Sequence, residues 1–260
     1  MRNKFADAIY EIGSKDASIC VLVADISPAG SMVYFREKFP ERFVNTGVAE
    51  QSMIGIAAGL ALNGMRPFCY TIATFSLFRP FEMIRVDLAY QNLPVTVIGM
   101  GAGVIYSTLG STHHTMEDIS IASAVPNLKV LAPCDPLEMA EATRWCATSS
   151  DGPVYMRLGK AGEPDLTGKL SSRFKVGKIR LIREGDDIVL LSYGTILKKV
   201  LEVAEALEKF GKSVAVVNVH TLKPVDKKGL SAILKKFSKV IVVEEHVGHG
   251  GLSSKVKELA

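Results

Sequence analysis

One acidic side chain, Glu50, lies where a predicted strand gives way to a predicted helix, in the sequence Thr46-Gly47-Val48-Ala49-Glu50-Gln51. Residues 54–61 are small and nearly uncharged, so the surface of that helix must be covered by other protein. Glu50 is therefore expected in a dry environment, where a carboxyl group has a raised pKa and can hold or share a proton near neutral pH. The alternative is a helix-terminal acid that only complements the helix dipole.

Two aromatic residues follow the next predicted strand, in the run Thr71-Ile72-Ala73-Thr74-Phe75-Ser76-Leu77-Phe78-Arg79. A spacing of three places Phe75 and Phe78 on one face of a helix that begins here. Such a pair suits a pocket in which a planar heterocycle stacks, and the alternative is two ordinary core phenylalanines.

Two adjacent histidines, His113 and His114, follow a glycine-rich loop at residues 99–103. Glycine at a strand end lets the backbone approach a ligand closely, and ligands bind at the carboxyl edge of a parallel sheet. Histidine exchanges protons near pH 7, so this pair predicts an acid-base function. Zinc-like ligand spacing is absent, and no metal site is predicted in this chain.

Four charged residues flank these histidines in the predicted site. Glu117 and Asp118 most simply cap a helix at residues 119–124. Arg157 and Lys160 follow a predicted strand, at a position where positive groups receive an anionic substrate. The alternative for both is plain surface charge.

The elements that position these residues are short apolar runs alternating with helical patterns, which indicates parallel sheets covered on both faces. We predict an α/β protein with two domains, each a mostly parallel sheet flanked by helices. The first domain is expected at residues 1–165, a linker with one irregular strand at 166–185, and a second domain at 186–260 that is short at its C-terminus. The predicted strands are residues 20–24, 42–45, 67–70, 94–100, 128–132, 154–156, 187–193, 213–219 and 239–244.

The composition argues for an ordered protein, because 48% of the 260 residues are hydrophobic and 22% are charged. A net charge of +4 with dispersed basic residues argues against nucleic-acid binding, and no apolar run is long enough to span a membrane. Four widely spaced cysteines without a signal-peptide pattern predict a reduced, cytoplasmic protein.

The order of the motifs along the chain resembles that of the transketolase family, specifically a pyrimidine-binding domain followed by the C-terminal domain of a split transketolase. The motifs are Gly-Val-Ala-Glu-Gln at 47–51, Thr-Phe-x-x-Phe at 74–78, Gly-Ser-Thr-His-His with Glu-Asp at 110–118, Pro-Asn-Leu-Lys-Val-Leu-Ala-Pro at 126–133, Gly-Pro-Val-Tyr-Met-Arg at 152–157 and Glu-Glu-His-x-x-x-Gly-Gly at 244–251.

The resemblance implies that thiamine diphosphate binds between two chains. Glu50 would hydrogen-bond the nitrogen of the pyrimidine ring and promote its imino tautomer, which removes the thiazolium proton. The ring pocket would comprise Ile72, Phe75 and Phe78. The remaining roles would be proton handling by His113 and substrate contacts by His114, Arg157 or Lys160, and Asp25.

Two departures from the family pattern limit what this chain does alone. The Gly-Asp-Gly motif that holds the diphosphate and Mg²⁺, with its downstream Asn, is absent, so an N-terminal transketolase-type subunit must complete the site in an α2β2-like heterotetramer. Gly101 and Leu109 stand where many transketolases carry His and Asp, which predicts a modified or less hydroxylated sugar.

The predicted function is transfer of a two-carbon ketol unit from a ketose donor to an aldose acceptor, with sugars or sugar phosphates as substrates in carbohydrate metabolism. Two alternatives remain open at this point. One is the β subunit of a 2-oxoacid dehydrogenase, which shares the two-domain plan and the activating Glu. The other is a non-catalytic assembly protein that retains the fold.

Overall fold

The computed structural model describes residues 1–27, 30–148 and 151–260, which form two sheets with helices on their faces. The strands, in chain order, are β1 (Ile19–Val23), β2 (Phe43–Asn45), β3 (Arg66–Ile72), β4 (Thr96–Met100), β5 (Lys129–Leu131), β6 (Val154–Leu158), β7 (Arg180–Arg183), β8 (Ile188–Ser192), β9 (Val214–Asn218), β10 (Thr221–Lys223) and β11 (Val240–Val242). The first sheet has the order β10-β5-β6-β4-β3-β1-β2 and the second the order β11-β8-β9-β7. This arrangement confirms the predicted α/β fold class.

The helices lie mainly between successive strands, as the alternating pattern predicts. They are α1 (Arg2–Gly13), α2 (Met32–Lys38), α3 (Glu50–Leu62), α4 (Ala73–Leu77), α5 (Phe81–Met83), which continues into a π-helical segment at Ile84–Tyr90, α6 (Asp118–Ala124), α7 (Pro136–Thr148), α8 (Leu197–Glu208), α9 (Lys227–Lys236) and α10 (Leu252–Lys257). Within the described residues, no helix combines the length and the apolar character needed to cross a bilayer.

All nine predicted strands are present, with ends within two residues of the prediction. Strands β1 to β6 are mutually parallel and carry their carboxyl ends to one edge of the first sheet. The second sheet has four strands instead of three, because β7, in the predicted linker range, pairs antiparallel with β9. Strand β10 was not predicted, since it is defined by its antiparallel pairing with β5, which joins residues distant in the chain.

A buried polar cluster connects the elements of the two sheets. The Glu138 carboxylate accepts hydrogen bonds from Arg180 Nη1 at 2.8 Å and from Asn218 Nδ2 at 2.8 Å. Burial raises the pKa of Glu138, although the hydrogen bonds from the Cys134 amide and Arg180 oppose that shift. Since a buried carboxylate needs such partners, this cluster fixes α7 against the second sheet.

The neutral side chain of His220 is part of the same junction. Its backbone oxygen accepts a hydrogen bond from the Ala132 amide at 2.8 Å, and its ring lies 4.3 Å from that of Phe174, measured between centroids. Burial, assisted by the positive charge of Arg180, lowers the pKa of His220 to about 3. The folded protein therefore disfavours protonation that the unfolded chain accepts near pH 6.5.

We expect the free energy of unfolding to decrease as pH falls from about 6.5 towards 3, because the unfolded chain takes up a proton at His220 that the folded chain does not. The contribution of one such group is about 1.4 kcal/mol per pH unit. Urea unfolding of the His220→Gln variant between pH 7 and pH 5 should show a shallower pH dependence. His249→Gln, at an exposed histidine, is the control. If the free energy of unfolding of His220→Gln keeps the wild-type pH dependence, His220 is not the group responsible.

Candidate active site

Glu50 is the first residue of α3 and its side chain is only 5% exposed. The turn that precedes it is stabilised by the Gly47 amide, which donates to Asn45 Oδ1 at 3.0 Å, and Gly47 has a φ of 71°. Beside the carboxylate opens a cavity of about 400 Å³ lined by residues 48–52 and Arg79. The acid is thus buried by its own chain and still borders open space.

Arg79 joins the carboxylate to the aromatic part of the site. Its Nη1 atom lies 3.4 Å from Oε1 and 3.3 Å from Oε2 of Glu50. The same guanidinium lies over the ring of Phe75, with the Cζ atom 4.4 Å from the ring centroid. Because half of the Arg79 side chain is exposed, these contacts are open to exchange with solvent and ligands.

A second cavity, of about 660 Å³, is also lined by Arg79. Phe75 and Phe78 line it, as the stacking-pocket prediction requires, together with Thr74 and His114. Among the described residues, Thr74 Oγ1 and His114 Nε2 are buried without a hydrogen-bond partner. Buried polar atoms in proteins are normally satisfied, so these two unsatisfied atoms are an unusual feature of the residues around this cavity.

His113 contacts two aromatic rings. Its ring centroid is 5.2 Å from that of Phe75 and 5.9 Å from that of Tyr106, and both contacts are edge-to-face. The Thr112 hydroxyl lies 2.9 Å from Nδ1 of His113. Lys160 follows β6 and places its Nζ atom 4.9 Å from the centroid of the Tyr106 ring.

One continuous set of contacts therefore joins predicted site residues across the carboxyl edge of the first sheet. In order, it runs through Glu50, Arg79, Phe75, His113, Tyr106 and Lys160. Sequence reasoning gave no role to Arg79 or Tyr106. Arg79 could have been recognised as the charged residue directly after Phe78, whereas Tyr106 lies in a loop whose path the sequence does not indicate.

Arg157 differs from Lys160, although the sequence left both open as anion receptors. The Arg157 side chain is buried, and its Nε donates to Asp118 Oδ2 at 2.7 Å. Its Nη2 donates to the backbone oxygens of Thr115 at 3.0 Å and Glu245 at 3.1 Å. With these three contacts, Arg157 holds in place the loop at residues 110–117, which carries both histidines and is called the histidine loop below. The geometry therefore favours Lys160 as the cation that is available to a substrate.

Asp118 does not cap α6 through its side chain, contrary to our expectation. Its Oδ2 atom accepts hydrogen bonds from Arg157 and, at 2.8 Å, from the Tyr155 hydroxyl. The Glu117 side chain does not cap the helix either; its Oε2 accepts from the Met116 amide at 3.1 Å. A fully buried carboxylate needs a positive partner more than a helix end needs a cap.

The second sheet contributes the segment that closes this network. Glu244 accepts hydrogen bonds from the Leu252 and Ser253 amides at the start of α10 and from the Tyr193 hydroxyl. The next residue, Glu245, is partly buried and lies against the backbone of Gly103; burial raises its pKa, with Arg157 opposing. The Glu-Glu-His motif thus packs a strand end of the second sheet onto the loop that carries the histidines.

The two remaining predicted residues lie at the same sheet edge. Ile72 ends β3, is half-buried, and leads directly into α4. Asp25 follows β1, is exposed, has a φ of 48°, and donates its amide to Asn45 Oδ1 at 3.0 Å. Their ligand contacts stay predictions. In the described part of the chain, no group of three or more His, Cys, Asp or Glu residues is arranged to hold a metal ion.

Comparison with known proteins gives matches over almost the whole chain. The model for the transketolase pyrimidine-binding domain matches residues 1–162, and that for the transketolase C-terminal domain matches residues 177–260. A protein of Phocaeicola vulgatus, named as one of the subunits of an apulose-4-phosphate transketolase, is 31% identical over 99% of this chain and 82% of its own length.

A 6-deoxy-6-sulfo-D-fructose transketolase subunit of Clostridium sp. strain MSTE9 is 34% identical over 99% of this chain and 80% of its own length. A solved structure described as a split-gene transketolase, an inactive beta4 tetramer, superposes with a TM-score of 0.90. It shares 36% identity and covers 99% of this chain and 83% of that one.

We expect Arg157→Met to lower the free energy of unfolding by about 3–5 kcal/mol, because it leaves the buried Asp118 carboxylate without its positive partner. Urea unfolding followed by circular dichroism measures the change. Arg85→Met, which removes an exposed pair with Glu82, is the matched control and should leave the unfolding midpoint nearly unchanged. Equal effects of the two substitutions would show that the buried network does not anchor the loop.

Proposed function

The chain belongs to the transketolase family, which confirms the resemblance drawn from its motifs, and we propose that it carries the pyrimidine half of a thiamine diphosphate site. It acts as one subunit of a split transketolase that transfers a two-carbon ketol unit from a ketose to an aldose. The observation that carries this proposal is the buried Glu50 carboxylate at the edge of a cavity, joined through Arg79 and Phe75 to His113.

The residues around the two cavities fit the aminopyrimidine end of the cofactor. Glu50 would hydrogen-bond the ring, Phe75 and Phe78 would supply its apolar surroundings with Ile72 at the strand end, and the unpartnered Thr74 hydroxyl offers a further polar contact. When bound, thiamine diphosphate supplies the carbanion chemistry, while the protein orients and polarises the reacting groups. The low exposure of Glu50 strengthens its hydrogen bond there.

Arg79 has to leave its present position before that ring can bind. In the chain by itself, Arg79 contacts the carboxylate of Glu50 and the face of Phe75, which are the same two groups that the ring requires. A planar cation thus substitutes for a planar heterocycle. The exposure of the Arg79 side chain makes this exchange inexpensive.

The other end of the contact series handles the substrate. His113 is placed to move a proton at the reacting carbonyl, with His114 beside it in the larger cavity, and Asp25 lies at the same sheet edge. Lys160, exposed beyond Tyr106, receives an anionic group of the sugar. The two relatives act, by their names, on a phosphorylated and a sulfonated carbohydrate, and we extend a ketose with an anionic end to this chain.

The Gly-Asp-Gly motif with its downstream Asn, which holds the diphosphate and Mg²⁺ in the family, is absent from this sequence. We assign both to a separate subunit with the Gly-Asp-Gly motif, in an α2β2-like assembly. The split-gene neighbour is described as an inactive tetramer of β chains, which supports the expectation that this chain is inactive without its partner.

The surface for association lies next to Glu50. One side of α3 packs inside the chain, but the α3 face, defined as Gly55, Ile56, Gly59 and Leu62, is exposed. These residues recur at helical spacing, and a Cβ atom on either glycine would meet open space. Another protein surface is therefore needed to cover only the α3 face, because the other side of the helix is covered within the chain.

We also place the enzyme in the cytoplasm, in carbohydrate metabolism; four buried cysteines without disulfides among the described residues agree with a reducing compartment. The comparisons do not favour the alternative of a 2-oxoacid dehydrogenase subunit. The intact set of Glu50, Phe75 and His113 argues against a non-catalytic assembly protein.

Activity of the assembled enzyme should depend on Glu50. We expect Glu50→Gln to lower kcat by about 10²- to 10⁴-fold, because the amide cannot exchange a proton with the ring. The measurement is ketol transfer by the chain mixed with a diphosphate-binding subunit, thiamine diphosphate, Mg²⁺ and sugar phosphates. Glu82→Gln, which also removes a Glu–Arg pair, is the control; turnover of Glu50→Gln within tenfold of wild type would refute the role.

The Gly59→Arg variant should fold as a single chain, because the new side chain projects into open space. It should assemble poorly, because the same side chain prevents another subunit from packing closely against α3. The change also removes a helical glycine, which favours the folded chain by up to about 1 kcal/mol. Analytical ultracentrifugation measures association, and Ala206→Arg on the exposed side of α8 is the control. Wild-type association by Gly59→Arg would place the interface elsewhere.

A further inference from the structure

Gly101 and Tyr106 are packed as a pair at the carboxyl end of β4. A Cβ atom on Gly101 would overlap the Tyr106 ring. Gly101 also has a φ of 70°, a backbone conformation that residues other than glycine rarely adopt. The absence of a side chain at position 101 is therefore what allows the ring to lie where it does. The Tyr106 hydroxyl is directed to Met100 Sδ at 3.8 Å, and burial raises its pKa, so the phenol stays neutral.

The ring of Tyr106 contacts the two groups that the proposed reaction uses on the substrate side. One edge-to-face contact joins the Tyr106 ring to His113 at 5.9 Å between centroids, and the same imidazole also contacts Phe75. The Lys160 ammonium lies 4.9 Å from the Tyr106 centroid, within cation–π range. The contact with Tyr106 adds to those that His113 makes with Phe75 and Thr112, and it restrains the exposed Lys160 side chain.

We propose that Tyr106 is a positioning residue that fixes the His113 imidazole and the Lys160 ammonium relative to each other, and thereby selects carbohydrates that carry an anionic group. One ring holds both the proton-transferring group and the anion-binding group, so the distance between these two groups is fixed. A substrate must match this distance between its reacting carbonyl and its anionic end. This inference rests on the proposed function, because it names the residue that positions the acid-base group and the anion-binding group of that same site.

The positioning role can be tested on the full chain without any partner. Side-chain NMR of His113 reports the ring current of Tyr106 and the pKa of the imidazole. Tyr106→Leu should shift the His113 ring resonances, whereas Tyr106→Phe should preserve them. Tyr34→Leu, which removes an exposed ring that pairs with Tyr10 and touches no histidine, is the control; unshifted His113 resonances in Tyr106→Leu would overturn the proposal.

The selection role is tested in the reconstituted enzyme with ribose 5-phosphate and unphosphorylated ribose as acceptors. Tyr106→Leu should lower kcat by about 10- to 100-fold through misplacement of His113 and alter the pH profile of kcat. It should raise KM for ribose 5-phosphate by about fivefold and leave KM for ribose unchanged, since only the former uses Lys160. Tyr106→Phe should restore both parameters.

The outcomes separate this inference from the proposed function. If Glu50→Gln abolishes turnover but Tyr106→Leu retains the wild-type rate, the role of Tyr106 is overturned and the transketolase assignment stays intact. Equal KM changes for the two acceptors would overturn the selection of an anionic group. A wild-type complex without ketol transfer would defeat the proposed function, while the His113 resonances would still decide whether Tyr106 positions the imidazole.

Discussion

The buried charge of Arg157 is the constraint on which the arrangement of the site depends. A guanidinium taken out of water must find a full set of partners, and Arg157 finds them in Asp118, in the backbone of the histidine loop and in the segment that follows β11. Three separate parts of the chain are therefore brought to one side chain. His113 and His114 directly precede one of these anchoring points, Thr115.

This constraint explains why the second domain matters for a site that lies on the first. At the histidine loop, the second domain contributes the backbone oxygen of Glu245 and the close approach of its side chain to Gly103. Glu244 holds that segment in position by binding the start of α10. The C-terminal domain thus acts as a support for the loop that carries His113 and His114.

The remaining features are those of an incomplete enclosure. Glu50 is covered by its own chain, yet the cavity beside it and the α3 face next to it are open. In this state, Arg79 provides the carboxylate with a counter-charge and Phe75 with a planar neighbour. A buried carboxylate beside an open cavity needs a counter-charge of this kind, because an unpaired buried carboxylate is costly.

The sequence by itself determined the fold class, nine of the strands, and the grouping of Glu50, Phe75 and His113 at one sheet edge. Hydrophobic periodicity is a local property that identifies the strands, and in a parallel sheet the residues that follow the strands lie at the same edge. The tertiary structure alone decided which charges are free. Arg157 and Lys160 look equivalent in sequence, and Asp118 looks like a helix cap, yet burial pairs Arg157 with Asp118 and leaves Lys160 exposed. The same holds for β10 and for Tyr106, whose places depend on contacts between residues distant in the chain, which no local pattern encodes.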